Sequence, residues 1–180
     1  MTRLLDRTLP GTLFLVLACS SPSALAQDAT TAPPPAPCSS EQHRQFDFWV
    51  GRWDVTANDQ PAGTNEITLA HGDCVLKENW TSAQGNFTGS SLNLYDAATD
   101  RWHQTWVDTT GNLLELNGGL QDGSMVLQGE RPTQEGGMSL QRITWTPNED
   151  GSVRQHWETS TDGGDSWSTV FDGLYEKAAP

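Results

Sequence analysis

Three tryptophans in this chain each follow a polar residue at a spacing that places both side chains on one face of a β-strand. The pairs are Glu78 and Trp80, Gln104 and Trp106, and Gln155 and Trp157. Residues two apart on a strand point the same way, so each pair would present an indole beside a hydrogen-bonding group. Core packing is the favoured interpretation of the many tryptophans, because tryptophan buries a large apolar area and the domain is poor in isoleucine and valine. The alternative is that these three indoles form the wall of a cavity for an apolar or ring-shaped ligand.

Four polar residues lie in the middle of predicted strands, where a fully packed core would hold apolar side chains. They are Glu78, Gln104, Arg142 and Arg154. Some of them must face water, but an inward charge would need a partner or a ligand to offset its desolvation. An inward pair of Glu78 and Arg142 would meet that need. The candidate ligand-binding residues are Trp80, Trp106, Trp157, Glu78, Gln104 and Arg142.

Familiar catalytic and metal-binding patterns are absent from the sequence. It contains no G-x-S-x-G, no H-E-x-x-H and no glycine-rich phosphate loop. The four histidines are scattered singly, and a lone histidine is usually a surface or hydrogen-bonded core residue. No C-x-x-C occurs, and no histidine lies at ligand spacing from Cys38 or Cys74. We therefore assign no catalytic residue and no metal ligand.

The chain is strongly acidic, with a net charge of −13 at pH 7. A surface this negative repels nucleic acid phosphates and anionic lipid headgroups. We interpret the charge mainly as a solubility feature that excludes nucleic acid as a partner. Nothing in the sequence indicates an oligomeric state.

Residues 1–26 have the three zones of a secretory signal peptide. Arg3 and Arg7 form a basic start, residues 13–18 are apolar, and Ala24-Leu25-Ala26 is an A-x-A cleavage site. The apolar run is too short for a membrane-spanning helix, which needs about 20 residues. We expect an exported protein, periplasmic or secreted, that is cleaved after Ala26.

Cys19 supports a second interpretation of the same segment. Val16-Leu17-Ala18-Cys19 resembles a lipobox, in which the cysteine is lipidated and becomes the first mature residue. The protein would then be anchored to a membrane through Cys19, and the sequence suggests no other membrane association. Leucine just before Ala18 is uncommon in a lipobox and the A-x-A site competes with it, so cleavage after Ala26 is favoured.

Two segments follow the signal peptide. Residues 27–44 are rich in Ala, Pro and Thr and predict a linker, because such a stretch buries too little apolar surface to offset the cost of ordering. Residues 45–177 have the length of one domain with one core. Cys38 and Cys74 are predicted to form a disulfide that joins the linker's end to this domain, as an isolated pair in an oxidising compartment usually does. Two unpaired thiols are the alternative.

Turn-forming residues recur about every 8–12 residues from Gly51 onward, with alternating runs between them. We predict ten strands, over residues 52–57, 64–70, 74–82, 87–95, 101–108, 113–119, 124–130, 138–146, 152–160 and 166–175. Only residues 41–49 have a helical pattern, with Phe46 and Trp49 spaced to cover an open barrel end. Ten strands joined by tight hairpins predict an all-β, antiparallel up-and-down barrel of the lipocalin-like kind, because closure removes exposed strand edges.

Two local motifs support this architecture. Gly51-Arg52-Trp53 has the G-x-W pattern found at the first strand of lipocalin-like barrels, where the tryptophan plugs the closed end. Residues 160–167, STDGGDSW, resemble the Asp-box of sialidases and related propellers, a hairpin turn in which the aspartate accepts hydrogen bonds from backbone amides. A propeller would need several copies in a much longer chain, so we interpret this one as a well-formed hairpin.

Larger blocks of sequence carry a family resemblance. FDFWVGRWDV, the run from Cys74 to Trp80, RWHQTWVDTTG, and the ending RITWTPNEDGSVRQHWETSTDGGDSWSTVFDGLYE together resemble a family of exported bacterial proteins with a domain of unknown function. The resemblance covers about residues 38–176. It implies a lipocalin-like or calycin-like β-barrel and brings no established activity.

A more distant likeness in shape is to nitrobindin, a ten-stranded barrel that binds haem through a histidine late in its chain. The last predicted strand here has no histidine, and His156 lies one strand earlier, next to Trp157. Haem held through His156 is therefore the single cofactor that this likeness suggests, and otherwise we expect none.

Three functional hypotheses follow. The first is a non-catalytic barrel that holds a small apolar or amphipathic ligand in its lumen. The second is a structural or envelope interaction module with a filled core. The third is an enzyme that uses Glu78 and Arg142 in the barrel mouth. The directions of Trp80, Trp106 and Trp157, and of the two charged side chains, discriminate among them.

Overall fold

The computed structural model describes residues 36–179. They contain ten antiparallel strands in a closed barrel, in which each strand pairs with its neighbours in sequence and the last pairs with the first. The strands are β1 Gly51–Ala57, β2 Gln60–Ala70, β3 Val75–Ser82, β4 Thr88–Asp96, β5 Arg101–Asp108, β6 Leu113–Gln121, β7 Ser124–Pro132, β8 Met138–Pro147, β9 Val153–Ser160 and β10 Ser168–Lys177. The predicted up-and-down barrel is confirmed, and every predicted strand has a counterpart.

Short turns fix where each strand ends. Asn58 and Asp59 have φ of 51° and 59°, and Asp122 and Gly123 have φ of 48° and 82°. Two consecutive positive φ values match the twist of the flanking strands, and Asn, Asp and Gly adopt them at least cost. Because the chain runs up and down, the turns after β1, β3, β5, β7 and β9 share one end of the barrel, here called the open end. The opposite end, where β1 begins, is called the closed end.

The segment before β1 fills the closed end. It consists of α1, Glu41–Arg44, and one turn of 3-10 helix, Asp47–Trp49, in place of the continuous helix predicted over residues 41–49. Phe46 and Trp49 are both 0% exposed, and their rings stack with centroids 5.0 Å apart. Phe46 also makes T-shaped contacts with the buried rings of Trp102 and Trp145, at centroid distances of 5.6 and 5.1 Å. These two residues cover the barrel end as predicted.

A disulfide and two hydrogen bonds hold this segment on the barrel. Cys38 and Cys74 are bonded, which joins the start of the described chain to the turn between β2 and β3 and confirms the predicted pair. Arg44 donates to the carbonyl of Asp73 in the same turn. Trp102 Nε1 donates to the side chain of Gln45 at 3.2 Å. The segment before β1 is thus attached to the barrel at two places, the turn between β2 and β3 and strand β5.

The G-x-W motif lies where the segment enters β1. Gly51 has φ +149°, a backbone conformation that other residues rarely adopt, and Trp53 is 1% exposed. Trp53 Nε1 donates to the carbonyl of Trp49 at 2.8 Å, and the ammonium of Lys177 lies 3.7 Å from the centre of the indole ring. The motif has the structural role that the sequence predicted.

The Asp-box-like sequence forms the turn between β9 and β10. Asp162 Oδ1 accepts hydrogen bonds from the backbone of Ser166 at 2.9 Å and from the hydroxyl of Ser160 at 2.7 Å. Hydrogen bonds from the side chain and then the backbone of Ser166 are the main reason why the pKa of Asp162 is well below its ordinary value. Trp167 closes the turn by donating to the carbonyl of Gly164 at 3.1 Å.

The predicted signal peptide, its Ala26 cleavage site, Cys19 and the first part of the linker lie outside the described residues. Residues 36–44, the remainder of the predicted linker, include Cys38 and helix α1. Within residues 36–179, no helix has the length and apolar character needed to cross a membrane.

Candidate ligand-binding cavity

A cavity of about 380 Å³ occupies the lumen toward the open end of the barrel. Its mouth is bordered by Phe87 in the turn after β3, and by Thr110 and Asn112 in the turn after β5. The wall contains Trp80, Trp106, Trp157 and Phe171, and the polar groups are Glu78, Gln104, Asp108 and Gln155. A size near the lower limit for small-molecule sites, with mostly apolar walls and a few polar groups, is typical of a ligand pocket.

Five of the six candidate binding residues lie on this cavity, as the alternation of β3, β5 and β9 requires. Trp80, Trp106 and Trp157 are partly exposed, whereas Trp49, Trp53, Trp102 and Trp145 at the closed end are at most 1% exposed. Glu78 and Gln104 are 4% and 2% exposed. The eight tryptophans therefore fall into three groups. Four pack the closed end, three line the cavity, and Trp167 lies in the turn between β9 and β10.

Inward-facing glycines make room for the aromatic wall. A methyl group at Gly63 would lie 2.7 Å from Cζ2 of Trp80, and one at Gly89 would overlap the six-membered ring of Trp106. A methyl group at Gly173 would overlap the ring of Phe171. Each ring thus rests against bare backbone, which leaves its opposite side for the lumen.

Hydrogen bonds fix the orientation of two of the indoles. Trp106 Nε1 donates to Oδ2 of Asp108 at 3.1 Å, and Trp157 Nε1 donates to Oε1 of Gln141 at 2.8 Å. Trp80 is held differently, by an edge-on contact with Phe171 at a centroid distance of 6.1 Å. Aromatic walls held in place in this way lose little conformational entropy when a ligand enters.

Glu78 forms the floor of the cavity. Its Oε1 accepts a hydrogen bond from Asn65 Nδ2 at 2.7 Å, and its Oε2 accepts one from Ser91 Oγ at 2.5 Å. Burial raises the pKa of Glu78 to about 7, and these two hydrogen bonds offset only part of that effect. The side chain is therefore balanced between its neutral and ionised forms near neutral pH.

A chain of donors leads to the Glu78 carboxyl from the neighbouring strands. Gln104 Nε2 donates to Asn93 Oδ1 at 2.8 Å, and Asn93 Nδ2 donates to Ser91 Oγ at 2.8 Å. Ser91 in turn donates to Glu78, so every dipole in the row points its positive end toward the carboxyl. Hydrogen bonds arranged in a row polarise one another, which strengthens the last bond.

Asp108 lies nearer the mouth, at the end of β5. Burial acts to raise its pKa, but hydrogen bonds from Thr110, Trp106 and Asn112 outweigh burial and lower the pKa below its ordinary value. The backbone amide of Thr110 donates to Oδ1 at 2.8 Å. Asp108 is therefore ionised at neutral pH, and it adds a fixed negative charge beside Trp106.

Tyr175 completes the polar groups near the floor. It is 2% exposed, and its hydroxyl donates to Oε1 of Gln155. Burial, followed by the negative charge of Glu78, raises the pKa of Tyr175 well above its ordinary value. The phenol therefore stays neutral and serves as a hydrogen-bonding group.

Arg142 does not belong to the site. On β8 the inward residues are Gln141, Ile143 and Trp145, so Arg142 projects from the outer face. Its guanidinium binds Glu158 Oε2 at 3.0 Å and stacks 3.9 Å from the ring centre of Trp167. The inward pair with Glu78 is wrong, because the two side chains lie on opposite faces of the barrel wall.

The other basic residues of this region also lie outside. Arg154 forms two 2.7 Å hydrogen bonds with the Asp172 carboxylate on the outer face. His156 faces outward from β9, where its Nε2 lies 3.0 Å from Thr169 Oγ1. His156 therefore lies on the opposite face of the barrel wall from the lumen. Across residues 36–179, no group of three or more His, Cys, Asp or Glu side chains is placed to hold a metal ion.

Several residues of the site were not predicted as ligand contacts. Asp108 shares a strand face with Gln104 and Trp106, so simple alternation was enough to find it. For Ser91 and Asn93 the sequence predicts the wrong face. Leucines alternate with them along β4, and this pattern predicts that the leucines face inward and the polar side chains face water. Phe171 gave no clear signal, since a register shift between Thr169 and Phe171 interrupts the alternation of β10.

The fold and the cavity together define a small all-β barrel whose lumen is packed at one end and hollow at the other. The chain matches no protein-family model and no curated protein sequence. The residues of the cavity themselves are therefore the basis for a functional hypothesis.

Proposed function

We propose that this protein is an exported, non-catalytic binding protein that holds a small apolar or amphipathic ligand in its barrel. The observation that carries the proposal is the 380 Å³ cavity, with tryptophan walls and a polar floor. A purely structural module would gain stability by filling this volume, because each unfilled space forfeits packing energy. Retaining Glu78 at the floor is a further cost that a ligand would offset.

Export is supported by two features of different kinds. The N-terminal sequence has the zones of a signal peptide, and the Cys38–Cys74 disulfide is of the type that persists in oxidising compartments. A resemblance to exported bacterial proteins with a lipocalin-like domain agrees with both. A barrel released outside the cytoplasm would be suited to carrying or capturing a poorly soluble compound.

The direct test uses N-phenyl-1-naphthylamine, a neutral apolar dye whose emission rises when it leaves water. Titration into the purified mature protein should give saturable enhancement, with quenching of tryptophan emission at the same midpoint. Ala62→Phe, which places a ring in the lumen, should abolish both signals. Ala97→Phe is the matched control, because Ala97 is exposed in the turn between β4 and β5.

Circular dichroism of each variant distinguishes a blocked cavity from an unfolded barrel. A folded Ala62→Phe variant that still binds the dye would place binding elsewhere and overturn the proposal. Native mass spectrometry of the purified protein, together with a screen of apolar compounds, supplies the second test. If both find an empty barrel that binds nothing, the protein is not a lumenal binding protein.

A further inference from the structure

The polar groups of the cavity are unbalanced in charge. Glu78 lies at the floor and Asp108 near the mouth, and Tyr175 is the remaining titratable group. Among the described residues that line the cavity, none is Lys, Arg or His. The basic side chains nearby lie on the outer face, where Arg142 binds Glu158, Arg154 binds Asp172 and His156 contacts Thr169. The lumen therefore has no positive group of its own to balance a carboxylate.

The aromatic wall has the geometry that favours a cation. Trp80, Trp106 and Phe171 rest on Gly63, Gly89 and Gly173. These rings line the cavity, and the π-face of an aromatic ring carries the negative part of the ring quadrupole, which attracts a cation. Several indoles around one volume form the kind of cage that recognises quaternary ammonium groups.

The hydrogen bonds around Glu78 favour the ionised form of its carboxyl. Asn65 and Ser91 both donate to the carboxyl, and Asn93 and Gln104 extend the row behind Ser91. This arrangement stabilises a carboxylate, whereas burial opposes it. A bound cation would remove the penalty of burial, because an opposite charge nearby favours the ionised form.

We infer that the ligand of this cavity is an organic cation, an amine or quaternary ammonium compound with an apolar body, whose charged group lies among the tryptophans and above Glu78. This inference rests on the proposed function and specifies its ligand class. The net charge of −13 would assist by attracting cations from solution.

The test compares two probes of nearly equal shape. Benzyltrimethylammonium carries the charge, and neopentylbenzene has carbon in place of nitrogen. Quenching of tryptophan emission at about pH 8 should give at least about tenfold tighter binding for the cation, as expected for a desolvated cation–π and carboxylate site. Glu78→Gln should remove most of that preference for the cation over neopentylbenzene.

The pH dependence supplies an independent readout. Glu78 faces Asn65 on β2, Ser91 on β4 and Tyr175 on β10, and Asp108 is the other acid on the cavity. Because Asp108 is already ionised and Tyr175 stays neutral, Glu78 is the group that titrates near pH 7. Affinity for the cation should rise about tenfold between about pH 5.5 and pH 8.5, and affinity for the neutral probe should not change.

The outcomes separate this inference from the proposed function. Equal affinity for both probes, or tighter binding of neopentylbenzene, overturns the cationic ligand and leaves a lumenal binding protein. Binding of the cation that survives Glu78→Gln and Asp108→Asn also overturns it, because the charge would then be recognised elsewhere. Failure of N-phenyl-1-naphthylamine and of both probes to bind overturns the proposed function itself.

Discussion

Replacement of Glu78 by glutamine should change how the stability of the barrel depends on pH. The pKa of Glu78 is raised from 4.5 to about 7 in the folded protein, so the folded state binds this proton more tightly than the unfolded state does. The stabilising contribution is fully present below pH 4.5 and is lost as pH rises through 7. At about 1.4 kcal/mol per pKa unit, the loss amounts to about 3 kcal/mol.

Glu78→Gln removes the ionisation and keeps the shape. Asn65 Oδ1 is buried without a hydrogen-bond partner among the described residues. A half-turn of the Asn65 amide would let that oxygen accept from the introduced amide, while Ser91 still donates to the remaining oxygen. The variant should therefore fold, and its stability should lack the pH-dependent loss.

The assay is urea unfolding followed by tryptophan emission, at about pH 4.5 and about pH 9. The difference in unfolding free energy between variant and parent should shift by about 3 kcal/mol in favour of the variant over that range. Other titrating groups cancel in this difference. Glu115→Gln is the control for the substitution itself, because Glu115 is exposed on the outer face of β6. Parallel curves for Glu78→Gln and the parent would refute the assignment of a buried acid with a raised pKa.

Three further changes test separate parts of the structure. Gly89→Ala should cost about 1–3 kcal/mol, because its methyl group displaces the indole above it, whereas Gly119→Ala, which meets open space, should change stability by less than about 0.5 kcal/mol in the same urea assay. Replacing Cys38 and Cys74 with serine, which opens a loop of 36 residues, should cost about 4 kcal/mol on the chain-entropy model, and an equal midpoint with and without reductant would contradict this. Asp162→Ala should lower the urea midpoint at neutral pH, and the deficit should shrink as pH falls below 3.8, because the lowered pKa of this aspartate stabilises the fold only where it is ionised.

Much of the architecture was predictable because local patterns determine it. The turns at Asn58-Asp59 and at Asp122-Gly123 are residues that adopt positive φ, and they set strand ends within a few positions. Strand alternation then placed Trp80, Trp106 and Trp157 on one face each, and consecutive hairpins left closure as the way to remove the edges. The disulfide followed from having two cysteines after the predicted cleavage site.

The interior was less predictable, because alternation does not say which face of a strand is the inner one. On β4 the hydrophobic pattern favours Leu92 inside, yet Leu92 is 47% exposed and Ser91 and Asn93 are buried. Their burial depends on Glu78 of the adjacent strand, a partner that only the register reveals. The prediction that Arg142 faces inward was wrong for the same reason, because its partner is Glu158, which lies directly across on β9.

The even number of strands has a practical consequence for engineering. β1 begins and β10 ends at the closed end, where Ala178 N still donates to Arg52 O at 3.0 Å, and Cys38 is fastened beside them. A fusion partner or surface attachment at residue 36 or 179 would therefore lie at the closed end and leave the mouth of the cavity unobstructed. With three indoles on the lumen as built-in reporters, the barrel is suited to immobilisation as a fluorescent sensor, and substitutions of Phe87, Thr110 or Asn112 would alter its mouth without changing the floor.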